Sequence, residues 1–302
     1  MPKFNLLVIL GTTASGKTRL AVQLARQLNG EIISADSRQV YRGLNIGSGK
    51  DLEEYEDISY HLIDIVSPGY EFSVFDFQGC FFKSFEEISK GNKLPILAGG
   101  SALYVDSVLN GYRMIAVPEN LPLREQLAKL SHQQLVEHLL RLKPKQHNTT
   151  DLLEHERLIR AIEIAEGERS ASSSQPPLAA LKPLIIGIQW QRSMTRERIT
   201  QRLKDRLEQG LIEEVQTLHN SGVSWQTLEF YGLEYRFVAR HLQNQLTYND
   251  MFQQLNSAIH QFAKKQDTWL RRLQRNGHVI HWVNGEDDIF DLALNIIENT
   301  EG

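Results

Sequence analysis

The sequence has little cysteine, little net charge and no long apolar run. Cys80 is the only cysteine among 302 residues, so neither a disulfide framework nor a cysteine-based zinc site can be built. The apolar run Phe4–Leu10 is too short to cross a bilayer and is typical of a buried strand. These absences predict a soluble, cytoplasmic protein in a reducing compartment, with no membrane partner.

The net charge of −4 argues against a dedicated non-specific nucleic-acid binder, which is usually strongly basic. Lys and Arg are nevertheless concentrated in 192–206 and in 264–275, where they flank Trp269. Such stretches are either solvated helix faces with Trp269 in the core, or surfaces that neutralise RNA phosphates while the ring stacks on a base. The residues alone favour the first interpretation.

Strand and helix patterns alternate as far as Gly111, which predicts a doubly wound α/β fold. The predicted strands are Phe4–Leu10, Glu31–Ser34, His61–Val66 and Leu94–Ala98, and the predicted helices are Thr18–Leu28, Phe75–Ile88 and Ser101–Leu109. From Leu123 to Ala165 the patterns are helical, and strand character returns at Pro183–Gln189 and Val279–Val283. We therefore expect a P-loop NTPase-like parallel sheet flanked by helices. The first part of the core is 1–117, a helical insertion is 118–180, and 181–302 returns to the core with basic C-terminal helices.

A phosphate-binding motif follows the first predicted strand. The match to G-x-x-x-x-G-K-[ST] is complete and consists of Gly11, Thr12, Thr13, Ala14, Ser15, Gly16, Lys17 and Thr18. In this motif the backbone N–H groups surround an anion at a helix N-terminus, the lysine adds a charge and the terminal hydroxyl can bind Mg²⁺. The motif predicts a diphosphate or triphosphate ligand with Mg²⁺ at Thr18, but leaves the reaction open.

Asp36 ends the second predicted strand, within the segment SADSRQVYRG. Ligands of open α/β sheets bind beyond the carboxyl ends of the strands, so Asp36 should project close to the phosphate loop. On position alone, capping of the next turn explains this aspartate equally well.

Six blocks, in this order, resemble the tRNA dimethylallyltransferase (tRNA isopentenyltransferase) family over Leu10–Trp282. They read GTTASGKT, SADSRQVYRGLNIGSGK, YHLIDI, PILAGGSALY, ERLIRAIEI and QFAKKQDTWLR. The resemblance implies transfer of a dimethylallyl group from its diphosphate to N6 of the adenosine next to the anticodon, on its 3′ side, in tRNAs that read codons beginning with U. It also implies that the anticodon stem-loop of tRNA and dimethylallyl diphosphate are the partners of a monomeric enzyme.

The same resemblance assigns roles to individual residues. Asp36 would be the general base, while Lys17 and Arg202 would stabilise the departing diphosphate. The resemblance implies that the helical insertion 118–180 faces tRNA. RNA contacts are implied for Asp36, Ser37, Arg38, Gln39, Ser101, Leu123, Glu156, Arg157, Leu158, Ile159 and Arg160. Ser101 stands where the family usually has threonine.

The chain departs from the family pattern in three places. Gly47-Ser48-Gly49-Lys50-Asp51 replaces Gly-Thr-Ala-Lys-Pro, and Glu234 stands where a basic residue is usual. His260 falls in a block that usually reads Thr-Arg-x-x-Ala-Lys-Arg-Gln.

Three alternatives remain open from the sequence. The same chemistry on free AMP, ADP or ATP would make the chain an adenylate dimethylallyltransferase. A P-loop small-molecule kinase would consume ATP, and a nucleotide-dependent switch would carry out no transfer and would not need Asp36.

Overall fold

The computed structural model describes residues 3–112, 114–144, 154–170 and 178–301. The chain forms two compact units, one made of Met1–Tyr112 with Leu178–Gly302 and the other of Arg113–Pro177. In the described residues no helix is both long and apolar enough to cross a membrane.

The first unit is built on six parallel strands in the order β3-β2-β4-β1-β5-β6. Along the chain these strands are β1 (Leu6–Gly11), β2 (Gly30–Ala35), β3 (Tyr60–His61), β4 (Leu94–Gly99), β5 (Pro183–Gln189) and β6 (Ile280–Asn284). The central strand β1 alternates its side chains between two cores. Leu6, Val8 and Leu10 enter one, and Leu7 and Ile9 enter the other. A strand buried on both faces accounts for the continuous apolar run in the sequence.

Helices cover both faces of this sheet. In the first unit they are α1 (Lys17–Gln27), α2 (Val74–Lys90), α3 (Ala102–Leu109), α7 (Arg192–Glu208), α8 (Leu211–Asn220), α9 (Trp225–Phe230), α10 (Leu233–Leu242), α11 (Tyr248–Arg275) and α12 (Ile289–Glu301). The core on one face combines α2, α3 and the end of α11, and the core on the other combines α1 and α12. A third core joins α8 and α10 to the segment that follows β2. The predicted parallel sheet flanked by helices is confirmed.

The prediction of a strand over His61–Val66 is wrong beyond its first residue. Leu62 and Asp64 have positive φ angles of 64° and 55°, which an extended strand does not allow. The N–H groups of Asp64 and Ile65 donate instead to the carbonyls of Gln39 and Val40. The apolar side chains of this segment are therefore buried by a turn rather than by a continued β-ladder.

The second unit is helical, with α4 (Leu121–Leu127), α5 (His132–Leu142) and α6 (His155–Ser170). Its apolar core includes Leu135, Leu139 and Leu158. Glu163 is buried there and accepts hydrogen bonds from Arg124 and from the backbone of Asn120. Burial alone would raise its pKa, but these bonds and the Arg160 ion pair hold the pKa of Glu163 at about 2.

Candidate active site

The phosphate loop joins β1 to α1 in an anion-binding conformation. Gly16 has a φ of 92° and Ala14 a φ of 61°, so the loop turns through the left-handed region, which favours glycine. In the described part of the chain, the N–H groups of Gly16, Lys17 and Thr18 donate to no protein acceptor. Free N–H groups at a helix N-terminus are the donors that a phosphate needs.

Three side chains brace this loop from outside. The Gln266 amide on α11 accepts from the Thr13 N–H at 2.8 Å and donates to the Gly100 carbonyl at 3.1 Å. Trp190 donates its indole N–H to the Ser15 carbonyl at 3.0 Å. The Arg198 guanidinium donates to the Ala14 carbonyl at 2.8 Å and lies 4.1 Å from the centre of the Trp190 ring. The shape of the loop is therefore fixed by α7, α11 and the residue that follows β5.

Lys17 lies close to a second cation, Arg202. Its pKa is lowered from 10.5 to about 8, first by burial and then by the nearby charge of Arg202, while Asp36 opposes the change. Its ammonium group donates to the Thr12 carbonyl at 2.7 Å. Burial, and then Arg202, also lower the pKa of Arg198. Cations that repel one another in this way attract a multivalent anion strongly.

Asp36 lines the same cavity as Lys17 and Thr18. One carboxylate oxygen, Oδ1, accepts from the Arg38 N–H at 2.8 Å and from the Gln39 N–H at 3.4 Å. The capping role and the cavity position therefore occur together, because one oxygen holds the turn while the carboxylate borders the cavity. A carboxylate fixed in this way can accept a proton from a ligand beside it.

The residues that follow Asp36 connect three neighbouring loops. Ser37 donates its backbone N–H to the Ser101 hydroxyl at 3.0 Å. The Gln39 amide is buried, where it accepts from the Ser34 hydroxyl and donates to the Gly49 carbonyl. The RNA contact implied for Gln39 remains a prediction, and in this structure both ends of its amide are bonded within the protein.

Two cavities meet at the phosphate loop. The larger, of about 370 Å³, is bordered by Asp36, Arg38 and Phe230. The smaller, of about 320 Å³, is bordered by Gly16, Asp51 and Arg198. Four residues border both, namely Ala14, Lys17, Thr18 and Arg202. A ligand held by the phosphate loop would therefore lie where the two cavities join.

Arg202 and Arg206 extend from α7 to the segment 47–51, and each contacts an acid. Arg202 pairs with Asp51, and the buried Arg206 pairs with Glu234 at 3.1 Å. A Cβ built on Gly49 would overlap the Arg206 guanidinium. Glycine is favoured at this position because its φ is 61° and because the two guanidinium groups would have to move to admit a side chain.

Two side chains hold the residues that lead into this segment. The carboxylate of Glu214 accepts three consecutive backbone N–H groups, from Asn45, Ile46 and Gly47, at 2.7 to 3.1 Å. It also accepts from the Tyr235 hydroxyl at 2.8 Å. Sequence reasoning missed Glu214 because no motif marks an acid whose partners lie about 170 residues away.

Lys50 is only 1% exposed and pairs with Asp64. Its ammonium group also donates to the Tyr41 carbonyl at 2.7 Å and to the Asn45 side chain at 3.0 Å. Asp64 thus serves the protein's own lysine, although it ends an apolar segment as a metal-binding carboxylate of a P-loop enzyme often does. Among the described residues no cluster of three His, Cys, Asp or Glu could hold a metal.

The phosphate loop suits Mg²⁺ when the phosphate oxygens of a ligand supply most of the metal's own ligands. Thr18 borders both cavities, which places its hydroxyl beside any anion in the phosphate loop. Mg²⁺ is commonly bound by one or two protein oxygens together with substrate phosphates and water, so it needs no all-protein cluster.

The second unit contains the remaining residues for which the resemblance implies RNA contact. Leu158 is 0% exposed and Ile159 is 9% exposed, both in that unit's core. Leu123 packs partly against the same core. Glu156 and Arg157 are exposed on α6, whereas Arg160 is held by Glu163 and by the Val117 carbonyl. Leu158 and Ile159 present little side-chain surface to solvent, and RNA contact by the group stays a prediction.

Trp269 is 6% exposed and belongs to the core beneath the sheet. The interpretation in which its ring stacks on a base is therefore wrong, and the alternative of a core residue is correct. The exposed residues around it on α11 include Lys264, Lys265, Arg271, Arg272 and Arg275.

Comparisons with known proteins agree with this arrangement. The family model described as IPP transferase matches residues 39–273. A tRNA dimethylallyltransferase of Geotalea daltonii is 60% identical over 98% of this chain and 96% of its own length. One of Syntrophotalea carbinolica is 61% identical over 94% of this chain and 95% of its own.

A solved structure is similar over almost the whole chain. It is the tRNA isopentenylpyrophosphate transferase of Bacillus halodurans, with a TM-score of 0.70 and 30% identity over 98% of this chain and 97% of that one. The resemblance inferred from the sequence blocks is confirmed, and the chain belongs to the IPP transferase family.

Proposed function

We propose that this chain transfers a dimethylallyl group from dimethylallyl diphosphate to N6 of the adenosine next to the anticodon, on its 3′ side, in tRNAs that read codons beginning with U. The observation that carries the proposal is the position of Asp36, which shares a cavity with the phosphate loop. The names of relatives with 60% identity, tRNA dimethylallyltransferases, support tRNA as the acceptor.

The reaction breaks the bond between C1 of the donor and its diphosphate oxygen, and forms a bond between C1 and N6. Negative charge grows on the leaving diphosphate. Lys17, Arg202 and the free N–H groups of the phosphate loop oppose that charge, a contribution of about 10²–10³ in rate for a well-placed donor. Mg²⁺, bound through Thr18, would supply further charge neutralisation.

The exocyclic amine is a weak nucleophile because its lone pair is delocalised into the ring. As the new bond forms, N6 must lose a proton, which the Asp36 carboxylate would accept. General-base catalysis of this kind contributes about 10²–10⁴ in rate. The products are modified RNA and diphosphate, and Asp36 then returns its proton to solvent.

The donor, the monomeric state and the cytoplasmic location belong to the same proposal. A single chain supplies both the phosphate loop and Asp36, so the site needs no second copy. Of the competing functions, free-adenylate prenylation uses the same site with a smaller acceptor. A kinase would use the site to transfer phosphate from ATP to a hydroxyl, and Asp36 would then accept the hydroxyl proton.

The test is a transfer assay with labelled dimethylallyl diphosphate and four acceptors: unmodified tRNA, AMP, ADP and ATP. We expect label in tRNA, and its loss in Asp36→Ala. Label in a free nucleotide but not in tRNA would support the adenylate alternative. No label in any acceptor, together with phosphate transfer from ATP to a hydroxyl, would support the kinase.

A further inference from the structure

An exposed aromatic ring and an arginine lie together at the rim of the larger cavity. Phe230, the last residue of α9, is 57% exposed although it is a large apolar side chain. The Arg38 guanidinium carbon lies 5.1 Å from the centre of its ring. Leaving this ring in water forgoes the free energy that its burial would contribute.

The guanidinium of Arg38 is available to a ligand. Its backbone N–H donates to Asp36, but within the described ranges the side chain forms no ion pair or hydrogen bond. The guanidinium lies over the face of the Phe230 ring. A planar cation without a protein acceptor, two residues from the proposed base, keeps all five of its N–H donors for whatever enters the cavity.

These two residues lie on the acceptor side of the site. Both border the larger cavity, and neither borders the smaller one. The residues shared by the two cavities are those of the phosphate loop and Arg202, so the diphosphate occupies the junction. Whatever approaches Asp36 from the far end of the larger cavity passes Phe230 and Arg38.

We propose that Phe230 and Arg38 form a stacking platform for the nucleobase that flanks the reacting adenosine in the RNA acceptor. This rests on the proposed function. The reacting adenine must place N6 at Asp36, beside Lys17, whereas Phe230 lies at the solvent-exposed rim. Protein sites that read unpaired RNA splay neighbouring bases out onto aromatic rings and guanidinium planes, and this pair offers both.

The test compares substitutions of Phe230 that change aromaticity and size separately. Phe230→Ala removes the ring, Phe230→Leu keeps apolar bulk without a π-face, and Phe230→Trp enlarges the face. The matched control is Tyr248→Ala, because Tyr248 is an exposed aromatic residue that borders neither cavity. The substrate is an anticodon stem-loop hairpin with 2-aminopurine on either side of the acceptor adenosine.

We expect Phe230→Ala and Phe230→Leu to raise KM for the hairpin about 5- to 100-fold, the range for loss of one stacked base. KM for dimethylallyl diphosphate should stay within about twofold, and Phe230→Trp and Tyr248→Ala should behave as wild type. With the wild-type protein and no donor, 2-aminopurine fluorescence at one flanking position should be quenched on binding, and Phe230→Leu should lose that quenching.

Wild-type behaviour of Phe230→Leu in both measurements would overturn the platform, because apolar bulk would then be sufficient. An unchanged hairpin KM in Phe230→Ala would overturn it as well. Neither result would affect the proposed function, since the wild type would still transfer label to the hairpin. Failure of the wild type to label any RNA would instead overturn the proposed function.

Discussion

The wild type and Lys17→Met should differ in their free energy of unfolding by an amount that changes with pH. Burial and Arg202 lower the pKa of Lys17 from 10.5 to about 8. Each pKa unit corresponds to about 1.36 kcal/mol, so holding this lysine charged costs the folded state about 3 kcal/mol. A neutral, similarly shaped methionine removes that cost, together with the hydrogen bond from the ammonium group to the Thr12 carbonyl.

The direction follows from the lowered pKa. Below pH 8 the lysine is charged in both folded and unfolded chains, and the full cost applies. As the pH rises from about 8 towards 10.5, the folded chain releases its proton first and the cost disappears. The wild type should therefore gain up to about 3 kcal/mol of stability relative to Lys17→Met between pH 7 and pH 10.5.

Urea unfolding of both proteins at a series of pH values measures this change, and subtracting the two curves removes every other titrating group. Lys204→Met, on the exposed face of α7, controls for removing a surface lysine. A difference between wild type and Lys17→Met that stays constant from pH 7 to 10.5 would refute the reasoning. Lys17→Met should also abolish transfer at every pH, because the charge that faces the leaving group is gone.

Three further predictions concern acids around the site. Asp36→Asn should slow single-turnover transfer about 10²–10⁴-fold. Donor affinity should be retained, because the amide oxygen can still accept the N–H groups of the turn. An unimpaired rate would contradict the role of Asp36 as the base. Asp51→Asn should lower KM for the donor several-fold in steady-state assays, because it frees Arg202 from its ion pair. A raised KM would mean instead that Asp51 orients Arg202 for the diphosphate. Glu214→Gln should lower the free energy of unfolding, measured with urea, by about 1–3 kcal/mol. The control Glu213→Gln changes an exposed neighbour and should lower it by less than about 0.5 kcal/mol. Equal losses in the two variants would contradict the role of Glu214.

Local signals predicted most of the sheet and the phosphate loop. The apolar run of β1 and the complete GTTASGKT motif are contiguous in sequence, and the structure has the predicted strand, loop and helix in that order. The strand predicted over His61–Val66 failed because apolar content alone does not report a backbone φ. The short helices α9 and α10 were missed, since their burial depends on segments that are distant in sequence.

The supports of the site were harder to predict than its motif. Gln266, Trp190 and Arg198 brace the phosphate loop from positions about 175 to 250 residues away. Their residue types also suit core or surface positions, so composition cannot distinguish them. Of the three, Gln266 alone lies in one of the six family-like blocks, and that block does not indicate that its side chain bonds to Thr13 and Gly100.

Two of the three departures from the family pattern are explained by ion pairs. Glu234 reverses an expected charge, and its carboxylate meets the buried Arg206, which would otherwise lack an ion-pair partner at a large desolvation cost. Asp51 replaces a proline and meets Arg202. Lys50, common to both patterns, meets Asp64.

Asp51 and Glu234 therefore each balance an arginine that borders the larger cavity. Lys17 and the free N–H groups of the loop then remain available to bind the leaving diphosphate. Arg202 becomes available as well once its ion pair with Asp51 breaks. If this pairing is the reason for the departures, single charge reversals should be costly. Exchanging both members of the pair formed by Glu234 and Arg206 should then cost less than the sum of the two single changes, a coupling of about 0.5–3 kcal/mol in a double-mutant cycle.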